Sequence, residues 1–367
     1  MKRTLSIIMA LALLVGIISG CASTSASTTT SSTTKDTANV TAAVAATTAA
    51  ETTAAAAATD KTLTIGMSWA HLDDSLFYAM RDTLEKAMTE SATARGYTKV
   101  EWIHVVANND VQKQASDISD LITKKVDLIV SYAIDNKAIQ SSIEEARAAG
   151  IPFICYDRDA DAAGTQPDAF IGLDTLDQAY TAGIALFKQM KTAGVTPTSV
   201  ISIVGDLSDQ NAINRIAGFK KAADEYGVTI TQEVPSEWNA EKALSGFSAA
   251  FQAHPDCNTV LIASDFIITP VQSVLEKAGK WIPAGQEGHV WVASQDVYPS
   301  GLQFIRDGFI DYDTAYDLWN MALGFAPVAF DLVEGKTIAN PEVKVTGRVV
   351  EKDNVDTIDN LWARAYE

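Results

Sequence analysis

Polar side chains able to do binding chemistry stand at the ends of apolar runs in this chain. Ser131 follows LIV, Asp157 and Arg158 follow FICY, Ser264 and Asp265 follow LIA, and Gln295 and Asp296 follow VAS. Carboxylates, a guanidinium, an amide and hydroxyls supply many hydrogen-bond donors and acceptors, and Asp157 and Asp296 also have the type of an acid–base pair. Any one of them alone is equally well a helix N-cap or a turn residue. Together, beyond the carboxyl ends of successive strands, they form the pattern of a ligand site in an open α/β sheet. No GxSxG, HExxH or P-loop phrase accompanies them, so the residues suit binding without a catalytic motif.

The elements that must position these groups follow from periodicity. The apolar runs at 63–69, 100–107, 126–133 and 151–157 read as buried strands. Between them Leu76, Met80, Leu84 and Ala87 recur at helical steps, as do Ile118, Leu121 and Ile122. Strand alternating with helix predicts a parallel sheet with right-handed crossovers. A second set opens at FIGLD (170–174) and continues at 199–205, 228–234, 259–265 and 289–296. The expected fold class is α/β, with two doubly wound parallel-sheet lobes.

The N-terminal 61 residues have another character. Lys2 and Arg3 precede an apolar run from Leu5 to Ile18, and Ser19 and Gly20 lead to Cys21. This order predicts a secretory signal peptide over 1–20, since the run is shorter than the roughly 20 residues that span a bilayer. From Ala22 to Asp60 the chain is almost all Ala, Thr and Ser, with Lys35, Asp36 and Glu51 the only charges before Asp60. Too few large apolar groups are present to offset ordering entropy, so 21–61 is expected to be a linker.

The whole chain carries 28 basic and 46 acidic residues, a formal charge of −18. Removing 1–20 takes two of the 28 basic residues and no acid, which leaves −20. Such a charge opposes nucleic-acid binding. Cys155 and Cys257 are the only other cysteines, and His71, His104, His254 and His289 lack the spacing of a metal helix. No metal and no cofactor are expected.

Ile18-Ser19-Gly20-Cys21 resembles a bacterial lipobox, which implies that Cys21 becomes the first mature residue and carries the lipid that tethers the protein outside the cell membrane. Two lobes behind such a box, with YDR at 156–158 and SQD at 294–296, resemble the periplasmic sugar-binding proteins of the ribose, galactose and xylose group, receptors of ABC importers. LDDSLF (72–77) is similar to the first loop of the glucose and galactose binders. ICYDRDAD (154–161) and ASQD (293–296) are nearer the xylose binders, and AHPDCNTVLIASD (253–265) resembles the strand that leads to the second-lobe sugar contacts.

The resemblance runs from about Thr62 to the C-terminus. It implies a type I periplasmic binding protein, not an enzyme, whose lobes are joined by a three-strand hinge near Leu173, Tyr316 and Gly347. The lobes are then 62–172 plus 317–346 and 173–316 plus 347–367. A monosaccharide and a membrane permease are the implied partners of a monomer. By position, Asp74 is expected to accept from sugar hydroxyls, and Asp157 with Arg158 to grip the ring edge. Asn211 and Arg215, four apart at a helix start, reach from the second lobe. Trp238 stacks on one sugar face, Asp296 closes the far side, and Tyr316 completes the set. Ser131 and Ser264 stand where the family often has Asn. The aromatic facing Trp238 aligns to Leu76 or Phe77, with Trp69 a further candidate. TAGVTPTSV (192–200) lacks the acids of the calcium loop found in galactose binders.

A monosaccharide suits such residues, because its ring of hydroxyls both donates and accepts while its C–H faces meet aromatic rings. An anionic sugar would add charge to a site of Asp74, Asp157 and Asp296 against Arg158 and Arg215, so an uncharged aldopyranose is expected, with xylose, glucose and galactose ahead of ribose. A sugar-sensing co-receptor for a membrane kinase or chemoreceptor has the same sequence features. Replacing Cys21 with Ser is expected to release the processed chain from membranes, read by fractionation. Tight membrane association of a processed Cys21→Ser form would overturn the lipid-anchor expectation.

Overall fold

The computed structural model describes residues 61–366. The leader, Cys21 and the linker up to Asp60 lie outside the described residues.

Five strands build most of the first sheet: β1 (Thr62–Trp69), β2 (Lys99–Val106), β3 (Leu128–Ser131), β4 (Phe153–Tyr156) and β5 (Ala169–Leu173). They lie in the order β2-β1-β3-β4-β5, all parallel, and β11 (Glu342–Val345) adds itself beside β5. The second sheet holds β6 (Val200–Val204), β7 (Gln232–Pro235), β8 (Thr259–Ile262) and β9 (Trp291–Ala293) in the order β7-β6-β8-β9, again parallel. Both sheets therefore wind outward in the same sense from their first strand. Helices join the strands, and β3, β4, β5, β6 and β8 are buried along their full length, as expected of strands covered on both faces.

Acidic and amide caps start the helices that matter for the cleft. Asp74 caps α1 (Ser75–Ala92), Asp110 caps α2 (Val111–Thr123), Asp174 caps α4 (Thr175–Thr192), Asp209 caps α5 (Gln210–Glu225) and Asn239 caps α6 (Ala240–Ala253), each through its side-chain oxygen. The helix between α2 and α4 is α3 (Ile139–Ala148). Past α6 come α7 (Ile268–Lys277) and α8 (Pro299–Asp307).

Among the described residues the chain passes three times from one sheet's surroundings to the other's. β5 ends at Leu173 and α4 then packs on α5. The short strand β10 (Asp313–Ala315) leads into α9 (Leu318–Val333), which packs on α1, β5 and β11. Finally β11 gives way to β12 (Arg348–Val350), which pairs antiparallel with β10.

Three expected strands differ from the structure. FIGLD, read as the opening of the second set, is β5 and pairs with β4 and β11 in the first sheet. A fully buried apolar strand carries no local mark of which sheet it joins. The run 228–234 is strand only from Gln232, because before it the edge meets β6 through Thr231 alone, whose N donates to the Val200 carbonyl and whose Oγ1 accepts from Val200 N. The run 289–296 is strand only over Trp291–Ala293, since Asp296 and Val297 take left-handed backbone angles, φ +92° and +52°, and turn the chain into the cleft.

Close packing of α4 on α5 depends on small residues. A Cβ added at Gly218 would stand 2.3 Å from the Leu176 carbonyl oxygen and 2.8 Å from Ala179 Cβ. Alanine ordinarily favours a helix by about 1 kcal/mol over glycine, but here the contact is with backbone that cannot yield cheaply. Gly218→Ala is expected to destabilise by about 1–3 kcal/mol, read as a lower urea midpoint at unchanged slope; a midpoint equal to or above the parent's would refute the packing argument.

Candidate binding cleft

A cleft of about 670 Å³ lies where the carboxyl ends of both sheets face each other. From the first sheet come Tyr132 past β3 and Asp157 and Arg158 past β4, together with Asp74, Leu76 and Phe77 at the start of α1. The second side supplies Asn211 and Arg215 in the first turns of α5, Trp238 ahead of α6, Ser264 and Phe266 past β8, and Asp296 and Tyr298 past β9. Tyr316 enters from the passage between β10 and α9.

Asp157 sits at the centre of this meeting. It is fully buried and holds a left-handed φ of +68°, which carries its carboxylate beyond the end of β4. Tyr316 donates its hydroxyl to Oδ1, and Asn211 Nδ2 donates to Oδ2 at 3.0 Å. Burial pushes its pKa up to about 6; the Tyr316 hydrogen bond and the Arg158 charge oppose the rise, and Asp209 adds to it.

Two ion pairs frame that carboxylate. Arg215 grips Asp296 with both terminal nitrogens, at 2.9 and 2.5 Å, and donates to the Ala263 carbonyl at 2.5 Å. Burial works against its charge, but Asp296 outweighs it and the guanidinium pKa goes up. Arg158 meets Asp209 at 3.0 Å and lies 4.5 Å over the Tyr132 ring. This second pair joins the first-sheet side to the cap of α5. The Nε of each arginine has no partner among the described residues.

Aromatic rings make the walls. The Trp238 indole donates to Asp209 Oδ2 at 2.9 Å and lies against Gly205, where a Cβ would approach Cζ2 to 2.2 Å. Only glycine there lets the indole rest on the end of β6. Phe77 packs edge-on to Tyr132 at 5.1 Å, and Tyr298 donates to Asp74 Oδ2 at 3.4 Å across the cleft. Asp74 is also the helix cap, accepting from Leu76 N at 2.8 Å, and burial raises its pKa.

Most residues singled out from the sequence line the cleft: Asp74, Leu76, Phe77, Asp157, Arg158, Asn211, Arg215, Trp238, Ser264, Asp296 and Tyr316. Ser131 does not. It is fully buried at the end of β3, and the next residue, Tyr132, faces the cleft because successive side chains on a strand alternate. Trp69 does not line it either; it is buried in the core and donates to His104 Nδ1 at 3.0 Å. Ser264 Oγ accepts from Phe266 N at 3.5 Å, so its hydroxyl has a capping duty as well.

Several lining residues were missed. Asp209 is the most consequential, since one side chain caps α5, anchors Trp238 and pairs with Arg158. An Asp directly ahead of the Gln-Asn helix start is its signal. Tyr132, Phe266 and Tyr298 each stand one or two residues past an expected strand-end group, and that position is the signal. Trp362 does not line the cleft but supports two residues that do, and it has no such signal: its indole donates to the Asp296 carbonyl at 3.0 Å from 66 residues away and meets Tyr298 edge-on at 5.2 Å.

Fold and cleft together define a two-sheet α/β protein with a polar cleft between the carboxyl ends of its sheets. The periplasmic binding protein domain matches residues 65–337, and the chain belongs to that family. It is similar to the ribose import binding protein of Bacillus subtilis, 26% identical over 220 residues, 60% of this chain and 68% of that protein. The D-ribose/D-allose-binding protein of Pseudomonas aeruginosa is 28% identical over 203 residues, 54% of this chain and 60% of that one. The chain thus spans about 60–68% of the length of these two relatives. In fold it is similar to an ABC transporter periplasmic solute binding protein from Actinobacillus succinogenes with bound D-allose, TM-score 0.69 at 22% identity over 81% of this chain and all of that one. The fructose-binding periplasmic domain of a hybrid two-component system gives 0.68 at 22%, over 80% and 92%.

The buried acids make a pH prediction. Burial raises Asp74, Asp157, Asp159, Asp265 and Asp313 above the ordinary carboxylate value. An acid whose folded pKa is raised binds more protons folded than unfolded, so stability falls as pH rises, for Asp157 and Asp159 through the window from about 4 to about 6. The ligand-free protein is expected to melt higher at pH 5 than at pH 7.5; the opposite order in scanning calorimetry would refute burial as the governing influence on these groups.

Proposed function

We propose that this protein is an extracytoplasmic, lipid-anchored receptor that closes around a monosaccharide and delivers it to an ABC importer. The observation that carries this is Asp157, fully buried from the first-sheet side yet hydrogen-bonded by Asn211 from the other, in the wall of a 670 Å³ cleft. Arg158 with Asp209, Tyr298 with Asp74, and Asn136 with Gln210 at 3.1 Å add bonds across the same gap. The lobes are then 62–172 plus 317–346 and 173–316 plus 347–367, and closure about the three passages is what a permease reads. A ligand that bonds both lobes favours the closed form by its differential affinity.

The lining suits a sugar. Carboxylates, an amide and guanidinium Nε groups suit hydroxyls, and Trp238 from one side and Phe77 and Tyr132 from the other supply aromatic lining. The names of the curated relatives, ribose and D-ribose/D-allose binders, point the same way. An aldopyranose without negative charge is the proposed ligand, with xylose, glucose and galactose first. Hydrolysis fits the geometry poorly, because both carboxylate oxygens of Asp296 are taken up in a two-point pair with Arg215. The sensor-coupled reading draws on one observation, the likeness in fold to the periplasmic domain of a two-component system.

A thermal-shift screen of aldopentoses and aldohexoses tests the proposal. A sugar at a hundred times its dissociation constant is expected to add about 2.7 kcal/mol of stability. Asp157→Ala is expected to weaken that sugar by about a hundredfold or more in calorimetry, through loss of charge-assisted bonds. Absence of stabilisation by any sugar would sink the proposal, and unchanged affinity in a folded Asp157→Ala variant would remove Asp157 from the site.

A further inference from the structure

On its second side the cleft wall turns through a corner at Asp296, Val297 and Tyr298 whose backbone is costly to hold. Asp296 and Val297 both take left-handed angles, φ +92° and +52°, and Val297 is β-branched and fully buried. Such a residue keeps such an angle only where its surroundings over-determine it. Here they do. Asp296 N donates to the Thr314 carbonyl at 2.8 Å, Val297 N to Asp313 Oδ1 at 3.3 Å, and Tyr298 N to both oxygens of Asp265 at 3.0 and 2.8 Å. A further bond comes from the C-terminal segment, whose Trp362 indole donates to the Asp296 carbonyl at 3.0 Å.

That segment touches both sides of the cleft. After β12 it is fastened to the second side: Val355 is fully buried, Asp356 accepts from Arg306 of α8 at 2.8 Å, and the Asp359 carbonyl accepts from Arg348 at 2.8 Å. Trp362–Tyr366 then forms a short 3₁₀ helix that packs on α8 and also on α1, which belongs to the first-sheet side. Trp362 is 7% exposed, and its ring meets Tyr298 edge-on at 5.2 Å, while the Tyr298 hydroxyl reaches Asp74, the cap of α1, at 3.4 Å. One side chain outside the cleft therefore bears on both lining residues of the corner, on the backbone of Asp296 and on the ring of Tyr298. The carboxylate which that backbone carries is the one Arg215 grips.

We propose that the C-terminal segment is a strap that fixes this strained corner in place for binding, with Trp362 as its positioning residue. The indole N–H ties down the Asp296 carbonyl, and the ring holds Tyr298 in its place in the wall. Released from the strap, the corner relaxes toward ordinary backbone angles and the carboxylate of Asp296 and the ring of Tyr298 lose their fixed positions. Groups that already hold their bound positions lose less freedom on binding, so the strap is expressed as affinity. The corner's geometry holds whatever molecule enters the cleft, and only the expected change in affinity rests on the sugar reading above.

The test compares the full chain with Trp362→Phe, which keeps an aromatic ring beside Tyr298 and loses the N–H. Hydrogen exchange of the ligand-free proteins, followed by mass spectrometry, is expected to be about three- to tenfold faster in the variant at 296–298, the loss of one hydrogen bond, and unchanged in β1, β6 and β8. A merely structural role would raise exchange in those core strands as well. Of D-xylose, D-glucose, D-galactose and D-ribose, whichever the wild type binds is expected to bind the variant about three- to tenfold more weakly in calorimetry, and stopped-flow fluorescence to place the change in dissociation and not in association. Unchanged exchange at the corner, a rise shared equally by the core strands, or unchanged affinity would overturn the inference. A wild-type chain that binds none of these sugars would overturn the sugar reading and leave the exchange result to decide this one. In the wild type itself the 296–298 amides are expected to exchange as slowly as those of β8, and fast exchange there would refute the strap even if the variant fails to fold.

Discussion

Three separate parts of the chain meet on the carboxylate of Asp157. The residue belongs to the end of a first-sheet strand, Asn211 reaches it from the second side, and Tyr316 reaches it from a passage between the two. Burying a carboxylate this completely is costly unless donors replace the lost water. The donors come from elements that touch nowhere near it in sequence. The arrangement of the two sheets around the cleft is therefore tied to the satisfaction of one charge. The left-handed backbone at Asp157 is part of the same solution, since it turns the carboxylate out past the strand end.

Rigidity around that centre comes from groups already held by other protein groups. Arg215 is fixed by Asp296 and the Ala263 carbonyl, and Asp296 is fixed in turn by the Trp362 indole on its own carbonyl. Asp209 holds a helix start, an indole and a guanidinium at once. Side chains held in this way lose little further freedom when a ligand arrives, so more of each contact is left as affinity. Gly205 serves the same end by leaving space for Trp238 to lie on the β6 end.

The acidity of the protein has two faces that act on different scales. Over the whole chain, an excess of acids over bases opposes phosphate-rich partners. Within the cleft the same excess is local, because the arginines there are consumed by pairs.

The strands that end in polar groups were legible in the sequence because period and burial are local properties: an apolar run of strand length followed by Asp or Ser announces itself. So was the likeness in residue order that pointed to the family. Sequence had no means of telling that FIGL joins the first sheet, since sheet choice is a long-range pairing between strands of equal character. Ser131 was placed in the cleft for a related reason, as one step along a strand exchanges cleft for core. Trp362 and the threefold duty of Asp209 were decided only in three dimensions, where residues well separated along the chain share the same few buried polar contacts. Residue type and order thus determined which chemistry was on offer and on which elements. Tertiary packing determined which of those groups share one cleft, because the cost of burying each charge is settled by partners that lie far away along the chain.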